Sequence, residues 1–254
     1  MKKLILLLSA TVFIVSCSKT EYTITGTATG IENGKTVILE KQDEAGMGLV
    51  PVDTVKVENG KFTMTGKALE PSFHMLQVEG INGKVPFILE NGDLNIEINK
   101  DSVAKSKISG TYNNDEFVKF NEELMAIQKG LMSFQKKNTP VMTQAQQTND
   151  TATINKLMKE YSAIQETVNT ESKKKYNTYA ETHPKSFITV LILKGMASDP
   201  SADIKSIEKI YASLEETLKK TKPGIEVDKK IKEIKNPSVG AGAAPQTQAP
   251  TSAK

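Results

Sequence analysis

Bond-making chemistry needs side chains that this sequence supplies sparingly. There is one cysteine, Cys17, and two histidines, His74 and His183; tryptophan is absent and all 33 basic residues are lysines. Nucleophilic catalysis sets a serine or cysteine against a base held by a third group, and no motif places a Ser, Cys or acid beside either histidine. His74 falls in the strand-like stretch Phe73-His74-Met75-Leu76, where a solvated or rim position is expected. His183 stands before Pro184 and is expected to close a helix, at the end where the backbone dipole favours a cation. No G-x-S-x-G, phosphate-binding glycine loop, paired-carboxylate signature or zinc-ligand spacing occurs. A transition-metal site would need two distant histidines plus carboxylates, so neither metal nor cofactor is expected. A single cysteine leaves no pair for a disulfide or for thiol redox chemistry. Without arginine the chain lacks the planar fork that reads phosphates and base edges, so no nucleic-acid partner is expected. The expectation is a protein that is not an enzyme. Its enzymatic alternative is a hydrolase with a carboxylate site in the β region, for which Glu79, Glu90 and Asp93 are the places to look.

Cys17 does have a chemical context. A basic start, Met1-Lys2-Lys3, precedes an apolar run over 4–15 that is too short to span a bilayer, which is the layout of a secretory signal. The residues Ile14-Val15-Ser16-Cys17 resemble the lipobox of bacterial lipoproteins. That resemblance implies cleavage before Cys17 and a diacylglyceryl group on its sulfur. The expected organisation is a signal peptide at 1–16, an anchor and linker at 17–21, and a membrane partner reached through Cys17. The expected location is the cell envelope, most simply the outer membrane, facing periplasm or cell surface; nothing in Ser18-Lys19-Thr20-Glu21 resembles an inner-membrane retention signal. The formal charge of +3 includes Lys2 and Lys3, so the exported chain is close to neutral.

The elements that follow fall into two regions. Residues 22–111 read as an antiparallel β domain, sandwich or meander. Four Asn-Gly pairs punctuate it, at Asn33-Gly34, Asn59-Gly60, Asn82-Gly83 and Asn91-Gly92, and such pairs favour type I′ hairpin turns. Leu94, Ile96 and Ile98 alternate with Asn95, Glu97 and Asn99, giving one buried and one wet face. Residues 112–235 read as helical. Phe117, Phe120, Leu124, Ile127, Leu131 and Phe134 form one stripe at steps of three and four; a polar break from Asn138-Thr139-Pro140 to Asn149 is followed by a second stripe through Ile154, Leu157, Tyr161, Ile164 and Val168, less regular to Tyr176 and Tyr179. Matching seams predict an antiparallel helical hairpin, with Asn149 or Asp150 capping its second arm. One shorter helix carries Phe187 to Leu193 and another Ile204 to Leu218; Pro223-Gly224 is expected to break the pattern before a last lysine-rich helix. Residues 236–254 hold no large apolar residue and are expected to be a disordered tail. The fold class is thus α+β.

The order of parts, with Asp53-Thr54-Val55, Asn59-Gly60-Lys61-Phe62 and Gly66 in the β region and His183-Pro184-Lys185-Ser186 in the helical one, resembles a Bacteroidetes lipoprotein family. Its N-terminal module is a domain of unknown function that, with its helical spacer, precedes a thioredoxin-like domain of the TlpA/ResA type. Val239-Gly240-Ala241-Gly242-Ala243-Ala244-Pro245 resembles the entry to that redox domain, but no Trp-Cys-x-x-Cys occurs, so the resemblance carries no oxidoreductase activity here. It implies a lipid-anchored, non-catalytic binding or scaffold module, or an accessory subunit docking with a thioredoxin-like lipoprotein. Asp53-Thr54-Val55, Asp101-Ser102-Val103 and Asp150-Thr151-Ala152 are similar to the O-glycan acceptor motif of Bacteroidetes. Lys173-Lys174-Lys175 and Lys229-Lys230 with Lys232 and Lys235 are expected to be solvated helix faces, diluted by Glu171, Glu226 and Glu233.

Overall fold

A computed structural model describes residues 19–43 and 47–236. Cys17, the signal at 1–16 and residues 237–254 of the expected tail lie outside the described residues. The chain divides into two compact units after Asp115.

The first unit holds eight strands: β1 (Tyr22–Thr27), β2 (Thr36–Gln42), β3 (Leu49–Lys56), β4 (Lys61–Gly66), β5 (Ser72–Val78), β6 (Val85–Leu89), β7 (Gly92–Glu97) and β8 (Lys107–Ser109). They form two four-stranded sheets, ordered β4-β1-β7-β8 and β3-β2-β5-β6. Period-two alternation sends Ile24, Met64, Leu94 and Ile96 of one sheet and Val37, Leu39, Leu76 and Phe87 of the other into a single buried cluster, the core of a sandwich. The pairings between described strands are antiparallel except that of β1 with β7, which runs parallel from Tyr22↔Gly92 to Thr27↔Glu97. Two glycines in the β1–β4 pair make room for aromatic rings across the strands, Gly26 for Phe62 and Gly66 for Tyr22.

The Asn-Gly pairs mark turns, but one alone takes the expected I′ backbone. Asn59 and Gly60 both have positive φ, 51° and 69°, whereas at the other three pairs the glycine alone is left-handed. That turn joins strands of different sheets, as does Asn91-Gly92 between β6 and β7, so both act as corners of the sandwich.

The helices are α1 (Tyr112–Gln147), α2 (Thr151–Thr182), α3 (Phe187–Ala197), α4 (Ile204–Ser213), α5 (Glu216–Lys219) and α6 (Lys222–Lys235). Three expectations are corrected here. The polar segment 138–147 belongs to α1: its seam continues through half-buried Asn138 and Met142 to buried Ala145, and polar side chains just before Pro140 bond back to the preceding turn, Asn138 Nδ2 donating to Phe134 O at 3.0 Å and Thr139 Oγ1 to Gln135 O at 2.7 Å. The hairpin turn is therefore residues 148–150. There Asn149 is left-handed at φ 53°, its N–H and that of Asp150 donate back to Gln146 O and Ala145 O, and the Asp150 carboxylate caps Thr153 N at 3.1 Å. Second, the helix expected over 204–218 ends at Ser213, and Leu218 lies in α5. Third, Pro223 and Gly224 open α6 rather than break the chain: proline in a first turn forfeits no hydrogen bond, and Thr221 Oγ1 accepts from Gly224 N at 3.2 Å.

Gly224 is packed against backbone. A methyl group there would stand 2.3 Å from Leu218 O and 2.9 Å from Lys219 O. Gly224→Ala is expected to destabilise the helical unit by about 1–3 kcal/mol, as overpacking does; urea unfolding followed by far-ultraviolet circular dichroism measures it, and an unchanged midpoint would refute the close approach.

Candidate functional site

The carboxylates singled out in the β region are each held by a different partner. Glu79 accepts from Thr36 N at 3.0 Å and Thr36 Oγ1 at 2.9 Å, and these bonds, more than nearby Lys35, hold its carboxyl below the usual range. Glu90 accepts from Asn113 N at 3.1 Å and Asn113 Nδ2 at 2.6 Å, so it caps the first turn of α1. Asp93 pairs with Lys19. Their roles are structural bonds to three separate elements.

His74 is not at a rim. It shares the inner face of β5 with Leu76 and Val78, is 5% exposed, and has the Phe87 ring beside it at 6.2 Å between centroids. Burial pushes its pKa below the usual 6.5 despite the Ser72 carbonyl 3.2 Å from Nδ1, which requires the Nδ1 proton. Ser72 Oγ stands 3.4 Å from Nδ1, a contact made along the same strand.

In the helical unit three helix ends meet around Tyr179. Its hydroxyl donates to Glu116 Oε2 at 3.0 Å and lies 3.0 Å from Ser186 Oγ; its ring packs on Phe120 at 4.5 Å and stacks on His183 at 4.0 Å. His183 Nε2 is 3.5 Å from Glu116 Oε2. Serine, histidine, glutamate and tyrosine thus gather, but Ser186 is fully buried and its Oγ accepts from Ile188 N as the cap of α3, while His183 caps α2. The set fastens helix termini and presents no exposed nucleophile. Only Ser186 and His183 share a local motif; Glu116 comes from the start of the other arm of the hairpin, 63 residues from Tyr179 in sequence, which no spacing rule reaches.

Open space lies beside this junction. One hollow of about 400 Å3 is apolar, walled by Phe117, Phe120, Leu124, Leu191, Ile192 and Met196 from α1 and α3. A second, of about 510 Å3, has more polar residues in its walls, Asn169, Ser172, Lys173, Asn177 and Asp199 among others. Tyr176, Gly195 and Met196 border both. A third, of about 410 Å3, runs along the hairpin between Phe134, Met142, Met158 and Tyr161. These volumes fall in the range of small-molecule sites, roughly 300–1,000 Å3.

The basic runs are largely paired. Lys175 bonds Glu123 and sits over the Phe120 ring, Lys232 bonds Asp228 at 2.5 Å, and Lys235 bonds Glu208 at 2.7 Å. Of the three acceptor-like motifs, Thr54 and Thr151 are exposed and Ser102 is half-buried; Thr151 opens α2 instead of lying in a linker. Among the described residues no cluster of three His, Cys, Asp or Glu side chains gathers as metal ligands, and no helix is long and apolar enough to cross a membrane.

Residues 22–117 carry a domain of unknown function, DUF4369. It spans all eight strands and the first residues of α1, the part of the chain in which the sequence resemblance expects such a domain. No curated protein matches this chain.

The buried histidine has a pH consequence. Its folded pKa lies below the unfolded value, so the unfolded chain binds the extra proton first and His74 withdraws stability as pH falls below about 6.5. Thermal unfolding of the β unit is expected to lose less between pH 7 and pH 5 in His74→Gln than in the parent; parallel curves would show that His74 takes up its proton equally in both states.

Proposed function

We propose that the chain is a lipid-anchored, non-catalytic binding or scaffold module of the cell envelope, tethered through Cys17. What supports the reading most is the contrast in the helical unit. Its titratable and hydroxyl groups at the Tyr179 junction are spent on fastening helix ends, while open hollows of ligand size lie next to them. The anchor rests on Ile14-Val15-Ser16-Cys17 and its basic, apolar lead.

A second reading is an accessory subunit that docks with a thioredoxin-like lipoprotein of the envelope. It draws on the DUF4369 domain at 22–117, which stands where the resembled family carries its domain of unknown function. Both readings share one experiment. The tagged protein is purified from its own envelope beside a Cys17→Ala form. The parent is expected in the membrane fraction with a defined partner, and the Cys17→Ala protein is expected to be released from membranes with that partner depleted. Equal membrane partition of the two forms would refute the anchor; identical sets of co-purifying proteins from the two forms would refute the docking.

A further inference from the structure

The two hollows that meet at Tyr176 differ in chemistry, the second being the richer in polar groups. On one side the walls are phenylalanine, leucine, isoleucine and methionine. On the other they are amides, hydroxyls and a few charges. Tyr176 suits the boundary, with an apolar ring 5.6 Å from that of Phe120 and a polar tip.

Gly195 marks the same boundary from α3. It stands in the last turn of that helix, two residues before its end, where glycine still has a lower helix propensity than alanine. Neither usual reason for glycine applies: its φ is not in the left-handed region, and a methyl group there would meet no atom within 4 Å. What its missing side chain leaves is clear space on the wall common to both hollows.

The carboxylates of the second hollow are engaged within the protein. Asp199 Oδ1 accepts from Ser201 N and Ser201 Oγ, both at 2.8 Å, and Lys173 stands close enough to help hold that carboxyl low. Asp203 Oδ1 caps α4, accepting from Lys205 N at 3.1 Å and Ser206 N at 3.3 Å. The groups left to a ligand are the Asn169 and Asn177 amides, the Ser172 and Tyr176 hydroxyls and the Lys173 ammonium, beside two carboxylates that outnumber that one cation and disfavour an anion.

We propose that this divided cleft binds a single-chain amphiphile, its alkyl chain in the apolar hollow and a neutral, hydroxyl-bearing head group among Asn169, Ser172 and Asn177. The proposal deepens the binding-module reading and rests on it.

The test is calorimetric titration of the full chain in its Cys17→Ala form, which carries no acyl group of its own, with octyl, decyl and dodecyl maltoside below their micelle concentrations. Saturable binding is expected, strengthening by up to about fourfold per methylene until the hollow is filled. Gly195→Trp is expected to weaken it at least tenfold. Gly130→Trp, at a helical glycine with equally open space and no place in either hollow, is expected to leave it unchanged. Dodecyl phosphate is expected to bind at least tenfold more weakly than dodecyl maltoside. No saturable binding, no dependence on chain length, equal loss in the two tryptophan variants, or a phosphate that binds as well as the maltoside would each overturn the proposal. The chain-length and head-group series need no substitution in the cleft, so they decide the matter even where Gly195→Trp misfolds. Failure here alongside a partner retained in the envelope purification would overturn the cleft and leave the binding module standing.

Discussion

The buried hydroxyl of Tyr179 is the constraint on which the helical unit turns. A tyrosine this deep must find partners for its polar end, and it finds them at the start of α1, in Glu116, and at the cap of α3, in Ser186. The same residue lies in the last turn of α2, where its carbonyl accepts from His183 N at 3.0 Å. Helix ends leave backbone groups without intrahelical partners, and here the ends supply one another: Ser186 N donates to His183 O, and Thr189 Oγ1 reaches the same carbonyl at 2.7 Å. Because the three helices are fixed at their ends, the space between their flanks stays open. The apolar hollow is a consequence of that geometry.

The β unit solves a different problem, the free edges of two open sheets. On β6, Asn114 copies a neighbouring strand: its amide oxygen accepts from Ile88 N at 2.9 Å and its amide nitrogen donates to Ile88 O at 2.7 Å. Asn91 does the same for Ala68. On β3, where the backbone edge is bare and Val52 is 47% exposed, protection takes other forms: Pro51 removes a donor, a register shift between Leu39 and Glu40 of the neighbouring strand interrupts the ladder, and charged Asp53 and Lys56 flank it. Such devices keep an edge from recruiting strands indiscriminately. They leave the edges of the β unit ill suited to binding by strand addition.

How far the sequence could be read depended on the reach of each rule. Strand positions followed from alternation, which is local, and so did the hairpin arms. The parallel pairing of β1 with β7 was not legible, because it joins segments at opposite ends of the domain and leaves no mark in either. Pro140 misled because breaker rules weigh the residue alone; the seam through Asn138, Met142 and Ala145 outweighed it. In α2 the seam takes in Ser172 and Lys175 and leaves Tyr176 at its edge, since Lys175 holds its ammonium over the Phe120 ring and pairs with Glu123. His74 went inside because it shares parity with Leu76 and Val78, a reading the alternation allowed. The candidate cleft was the least legible, assembled from α1, α2, α3 and the segment leading into α4, with one glycine whose meaning is spatial.

The hairpin is also graded in stability along its length. Its base is locked at Tyr179 and covered by α3, whose residues from Phe187 to Val190 are buried. Along the middle of the arms the seam residues are half-buried, the ring contact of Phe134 with Tyr161 is 6.3 Å, and Met125, Met132 and Met158 stand more than half exposed, while Ala145 and Leu157 are buried beside the turn. An interior proline there forfeits one backbone bond and costs up to about 3 kcal/mol against alanine. Opening free energies within a protein follow buried apolar contact and intact hydrogen bonding, so the arms must loosen before the junction does. The cleft beside Tyr176 lies on the firm side of that gradient, where a preformed site spends least of its ligand's binding energy on ordering its own walls.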